Sequence, residues 1–136
     1  MTETALRQAS DEVCEVEPSF TVGGIPVCGD VILAPMAGFA DAPMRAVCRG
    51  FGSAMSYTEF VAAEDIIHGA SKAASLLDFS ETDRPMVFQI FGNDASKILL
   101  AAQKIEELGP DVIDINMGCS TRRVSGRGAG VGMMLK

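Results

Sequence analysis

The sequence predicts an α/β protein built on parallel strands, and three observations carry that expectation. Short β-prone runs alternate with helical segments at a spacing of about 25 to 30 residues, the rhythm of successive βαβ units. The run Val31 to Ala34 is apolar on both faces, as a parallel strand covered on each side requires, and Pro85 introduces a further β-prone run, MVFQIF at 86–91. The stretch behind it places Ile98, Ala101, Ala102, Ile105 and Leu108 at the spacing of a helix with one apolar face. Four strands can be counted, whereas a closed (β/α)8 barrel takes roughly 250 residues. The 136 residues therefore hold half such a barrel at most. An open doubly wound sheet of four strands meets the same pattern, with two edges left to protect.

The elements follow in order. Two β-prone runs flank Gly23-Gly24, which predicts a short hairpin. Val31 to Ala34 is the first main strand and ends at Pro35-Met36-Ala37-Gly38. Asp41 stands as an N-cap, Pro43 falls in the first helical turn where its missing N–H costs little, and Gly50 and Gly52 close a helix of about ten residues. Ala54 to Thr58 reads as the second strand, and the alanine-rich stretch Val61 to Leu77 as partly helical. Pro85 introduces the third strand, Gly92-Asn93-Asp94 opens the helix behind it, and Gly109-Pro110 stops that helix. DVIDIN at 111–116 is the fourth strand, and the glycine-rich segment after it reads as a loop.

Composition narrows the class of protein. Hydrophobic residues make up 48% and charged residues 21%, the balance of a chain that folds around a core. No apolar stretch approaches the roughly 20 residues of a membrane span, and the N-terminus lacks the pattern of a signal peptide. The expectation is a cytoplasmic protein. Cys14, Cys28, Cys48 and Cys119 show neither a disulfide framework nor the spacing of a zinc site. Residues 1–18 form an acidic head, read as disordered, in which Glu3, Asp11, Glu12, Glu15 and Glu17 face Arg7 alone; residues 19–136 form the folded part. A net charge of −7 argues against a surface wholly devoted to nucleic acid, although Arg122, Arg123 and Arg127 cluster near the C-terminal end.

Parallel α/β architectures place ligands beyond the carboxyl ends of the strands, and the chemically informative residues fall there. Pro35, Met36, Ala37 and Gly38 follow the first strand, Thr58-Glu59 the second, and Asn116, Gly118 and Cys119 the fourth. Gln89 lies inside the third strand, where its amide needs partners, from a ligand or from neighbouring backbone, because a buried unpaired amide costs about 1 to 3 kcal/mol. Cys119 sits in a glycine- and arginine-containing loop, a setting suited to a proton donor or a nucleophile. Cys28 and Cys48 read as small interior hydrophobes, and His68 as an ordinary surface residue. The glycines at 126, 128, 130 and 132 miss the G-x-G-x-x-G spacing, and no Gly-Lys-Ser/Thr follows, so the run is not a nucleotide-binding loop.

Taken together, APMAGFADAPMR at 34–45, YTEF at 57–60, VFQIFG at 87–92 and DVIDINMGCSTRRVSGRGAGVGMM at 111–134 resemble the tRNA-dihydrouridine synthase family. The resemblance runs from about Phe20 to the end of the chain. It implies the N-terminal half of an FMN-binding barrel, its first four βα units, with the remaining half and a helical tRNA-binding domain lying beyond residue 136. The implied activity uses NADPH to reduce FMN, which passes a hydride to C6 of a uridine in tRNA while a cysteine protonates C5. On motif position Cys119 is that cysteine, Pro35, Met36 and Ala37 lie against the flavin ring, and Gln89 bonds its pyrimidine edge. Asn116 positions flavin or uracil, and Arg122, Arg123 and Arg127 reach tRNA phosphates.

Ser120 departs from the family's proline after the cysteine, which frees one backbone torsion. The family's other flavin contacts, a lysine, a histidine and a glycine-rich phosphate site, fall on later strands, so the 136 residues alone are expected to hold FMN weakly or not to turn over. Two other readings stay open at this point. One is an FMN barrel that reduces a small molecule such as dihydroorotate or an enoate. The other is an inactive or partner-dependent barrel fragment.

Overall fold

A computed structural model describes residues 17–135. The acidic head lies outside the described residues as far as position 16. The hairpin forms as its Gly-Gly turn predicts: β1 (Phe20–Val22) pairs antiparallel with β2 (Ile25–Val27), with Gly23 at φ +59°. Helix α1 (Ala42–Gly50) begins where the Asp41 side chain accepts the Met44 N–H at 3.0 Å.

The sheet is parallel. Strand β5 (Met86–Phe91) is central, with β6 (Val112–Ile115) along one edge. On the other edge β3 (Ser56–Tyr57) pairs with Met86–Val87 and β4 (Val61–Ala62) with Ile90–Phe91. These two short pieces are one interrupted strand running beside β5. Helices α2 (Ala63–Ile67), α3 (Ser71–Leu76) and α4 (Ala95–Glu106) follow, and α4 starts at Asp94, whose side chain accepts the Lys97 N–H.

The alternation of side chains along β5 divides the molecule into two faces. Met86, Phe88 and Ile90 point to the helices and pack with Ile66, Ile98, Ala101 and Ile105. Val87 points the other way, into a smaller cluster with Val27, Ala54 and Met55, on which Ile32, Tyr57 and Val112 also pack. Gln89, two residues on from Val87, extends this second face towards the carboxyl end of the sheet.

Three expectations need correction, and a fourth is refined. Val31 to Ala34 is extended but joins no ladder. Val31 O accepts the Ala54 N–H at 2.8 Å, whereas the Leu33 N–H is taken by the Ser53 hydroxyl, and Val31 is 70% exposed. A strand needs repeated main-chain partners, and the Ser53 side chain interrupts them here. Val61 to Leu77 is partly helical, as expected, but its first two residues, Val61-Ala62, are strand, because β5 is long enough to offer them a free edge beyond β3. The segment after Asn116 is partly helical, with α5 (Arg122–Ser125) and a 3-10 turn at Gly130–Leu135 that bury Val124, Ala129 and Gly130. Leu108 lies past the end of α4, on the turn to Gly109, and is 54% exposed. In addition, Cys28 is disulfide-bonded, whereas Cys48 and Cys119 are free thiols. His68 is an exposed surface residue, as expected, with its Nδ1 against the Glu64 carbonyl.

Candidate active site

Above the apolar floor of Tyr57, Val87 and Val112, the same face of the sheet turns polar. Gln89 is opposite Asp114 in the parallel register, and Asn116 lies two residues beyond Asp114 on the same side. Gln89 is buried, and its Nε2 donates to Asp114 Oδ2 at 2.6 Å while its Oε1 accepts from Asn116 Nδ2 at 3.0 Å. Asn116 Oδ1 in turn accepts the N–H groups of Gly118 (3.2 Å) and Cys119 (3.0 Å). A continuous row of hydrogen bonds thus runs from Asp114 through two amides to the backbone of the cysteine. Side chains, rather than backbone or ligand alone, satisfy Gln89.

Asp114 is the residue that sequence reading missed. Its signal was present in DVIDIN: an acid two positions before Asn116 in an otherwise apolar strand shares the asparagine's face. Its charge and the burial of the ring act together on Tyr57. Burial is the larger cause, the carboxylate the second, and both push the phenol above its ordinary value. The native state then holds this proton more tightly than the unfolded chain, so stability is lost as pH rises past about 10, the unfolded value. Tyr57 is the one tyrosine of the sequence, which has no tryptophan, so tyrosinate absorbance reads it alone. The expected titration midpoint lies above 10, and Asp114→Asn moves it part of the way down, since burial remains. An ordinary midpoint in the native chain would contradict this placement.

The Cys119 thiol is partly exposed and lies 3.3 Å from the Thr121 hydroxyl. The loop that presents it is held from below by the glycine-rich segment, where the Val131 N–H donates to Cys119 O at 3.1 Å. Gly130 makes this approach possible. Its φ is +55°, and a Cβ there would stand 2.5 Å from Cys119 O, 3.1 Å from Cys119 Cβ and 3.0 Å from Val124 Cγ1. Gly130→Ala is expected to cost about 1 to 3 kcal/mol and to displace the cysteine, read as a lower urea midpoint and faster alkylation of the thiol. An unchanged midpoint and rate would remove Gly130 from this role.

The turn after the first extended segment is also anchored. Met36 O accepts the N–H groups of Phe39 and Ala40, and Glu59 Oε2 accepts the Gly38 N–H at 2.7 Å. The backbone N–H groups of Met36 and Ala37 have no acceptor among the described residues, and the Met36 side chain is half-exposed. Behind the turn, Arg45 is buried and ties Ala40 O, Asp78 O and Asp83 together.

A cleft of about 360 Å³ opens between Ala37, residues 59–65, Phe91 and α5. Arg123 and Arg127 line it, whereas Arg122 does not. None of the three forms an ion pair among the described residues. Gln89, Asn116 and Cys119 are not in its lining, although Thr121, the hydroxyl neighbour of Cys119, is. The structure thus joins Gln89, Asn116 and Cys119 directly. Pro35, Met36 and Ala37 lie in a separate turn, and the arginines occupy an exposed short helix and the turn after it.

Fold and site together define an α/β protein whose candidate functional groups lie towards the carboxyl ends of parallel strands. The family model for dihydrouridine synthase matches residues 32–136, and the chain belongs to that family. It is 36% identical over 113 residues to tRNA-dihydrouridine synthase B of Pseudomonas aeruginosa, covering 83% of this chain and 34% of that protein. It is 39% identical over 109 residues to a probable tRNA-dihydrouridine synthase of Aquifex aeolicus, covering 79% and 34%. A tRNA-dihydrouridine synthase B of Pseudomonas putida is 37% identical over 114 residues, with 83% and 34% covered. The chain spans about a third of the length of these curated relatives. Among the described residues no helix is long and apolar enough to cross a membrane, and no cluster of three or more His, Cys, Asp or Glu side chains could hold a metal.

Proposed function

We propose that this chain is the N-terminal half of the FMN-binding (β/α)8 barrel of a cytoplasmic tRNA-dihydrouridine synthase, which reduces uridines of tRNA to 5,6-dihydrouridine with electrons from NADPH. The observation that carries the proposal is the row of hydrogen bonds from Gln89 through Asn116 to the Cys119 backbone. It couples a buried amide suited to a flavin edge to the loop of a free thiol. The donor set fits such a ring. After their internal bonds, Gln89 and Asn116 each keep one amide N–H, and Gln89 Oε1 keeps a lone pair. The unengaged N–H groups of Met36 and Ala37, with Pro35, supply a second contact surface. Bound FMN supplies the two-electron reduction that NADPH drives.

The chain's own residues do the rest. Cys119 Sγ donates a proton to C5 of the base, with Thr121 as the hydroxyl neighbour of the thiol. The target uracil has to leave its stack to reach this face. Arg122, Arg123 and Arg127 hold the flanking phosphates, a local basic patch on a chain of net charge −7. Among the described residues β6 pairs only with β5. The proposal places the next strand of the barrel on its outer edge, with a helical tRNA-binding domain further on.

The test supplies protein carrying this sequence with FMN, NADPH and an unmodified tRNA transcript, and measures nucleoside mass. A gain of two hydrogens on particular uridines is expected. NADPH consumption that leaves tRNA unchanged but reduces an orotate- or enoate-type compound would overturn the tRNA reading. Activity that appears only when the rest of a relative's barrel is added would locate the function in the complemented protein.

A further inference from the structure

Resting on that reading, we propose that Asp114 is a positioning residue: its carboxylate fixes the sense in which the Gln89 and Asn116 amides point, and so holds the Cys119 loop in register with the cofactor face. Donor and acceptor polarity orders the row. A carboxylate accepts and does not donate, so Gln89 presents its Nε2 to Asp114 Oδ2 (2.6 Å) and is left with Oε1 towards Asn116. That oxygen demands a donor, so Asn116 turns its Nδ2 to Gln89 (3.0 Å) and its Oδ1 outward. The outward oxygen is the group that receives the Gly118 and Cys119 N–H donors. Both ends of the row have a single polarity, an acceptor at Asp114 and a donor at Cys119, and each amide between them has one orientation that satisfies both neighbours.

Apart from Asp114 and Asn116, no side chain among the described residues bonds the Gln89 amide, so an acceptor at position 114 and the N–H donors at the far end together set the sense of the row. The same residue lies beside Tyr57 on the floor of the face, which places the carboxylate at the junction of the apolar and polar layers.

Exchange of the two side chains tests this. Asn116→Asp sets a second acceptor against Gln89, so that one of the two contacts of the amide must break. The side chain at 116 is then pushed off Gln89 and out of register with the loop, and the Cys119 backbone N–H is expected to exchange with solvent about tenfold faster, the scale of one lost hydrogen bond. Asp114→Asn alone has a small effect, because its amide can turn an oxygen to Gln89. The double variant Asp114→Asn/Asn116→Asp reverses the row: the Gln89 amide turns over, position 114 donates and position 116 accepts. Cys119 exchange should then return to within about threefold of the original, well inside the effect of one hydrogen bond. The amides of Ala101 and Ile105 in α4, behind the sheet, should not change in any variant.

If the double variant exchanges as fast as Asn116→Asp, or if Asn116→Asp has no effect, the assignment of Asp114 is overturned. Should Asn116→Asp alone fail to fold, a folded and protected double variant gives the same support, and an unfolded one the same refutation. The measurement needs no FMN, NADPH or tRNA. A rescue seen in a protein that does not reduce tRNA would therefore leave this inference standing while the proposed function failed.

Discussion

Replacing Cys119 by alanine is expected to lower dihydrouridine formation by about 10²- to 10⁴-fold, the range over which a positioned proton donor accelerates a reaction. The thiol is free, partly exposed and carried on a loop tied at both its N–H and its carbonyl, so its removal deletes chemistry without deleting a packing contact of the core. FMN binding and the urea midpoint should stay near those of the parent protein. That separation distinguishes loss of a proton donor from loss of structure. An unchanged rate in Cys119→Ala would take the proton from another group and remove the cysteine from the mechanism.

The second large effect is on stability. Arg45 and Asp83 form an ion pair at 3.3 Å with both side chains buried, and the guanidinium also bonds Ala40 O and Asp78 O. Arg45→Ala leaves the Asp83 carboxylate buried with the Ser80 N–H as its one remaining hydrogen-bond partner among the described residues, together with two carbonyls deprived of their donor. Breaking a buried pair on one side costs about 3 to 5 kcal/mol, a large part of the stability of a domain this size. Urea unfolding measures it, and a shift below about 0.5 kcal/mol would mean that the pair is solvated. The bond to Ala40 O lies at the end of the Met36–Ala40 turn, so a milder loss of FMN affinity should accompany the destabilisation.

These two residues differ in how far the sequence announced them. Cys119 was legible because it follows a strand end in a polar, glycine-rich loop, a position that few structural cysteines take. Arg45 was not, because an arginine in a nine-residue helix looks solvated until the acceptors from residues 78 and 83, far along the chain, are brought to it. The same physics separates the strands that were legible from those that were not. Met86–Phe91 carries its own evidence, being introduced by Pro85 and apolar apart from Gln89, and it lies in the centre of the sheet. Val31–Ala34 has the same composition, but a strand depends on its neighbours, and Ser53 diverts the Leu33 amide. Val61-Ala62 became strand through the free edge of β5, and the helix at 122–125 through burial of Val124 against Gly130. At the site, Gln89, Asn116 and Cys119 could be named from the strand ends. Their connection could not, because it depends on the register of β5 against β6 and on Asp114.

The central claim is that the Gln89–Asn116 row is the seat of the flavin and holds the cysteine loop to it. Titration of FMN, followed by its absorbance, tests this most directly in protein carrying this sequence and in its Gln89→Leu variant. The account predicts binding weakened by about tenfold or more in the variant, as expected when a buried amide partner of the ring is lost. Equal FMN affinity in the two folded proteins would contradict it.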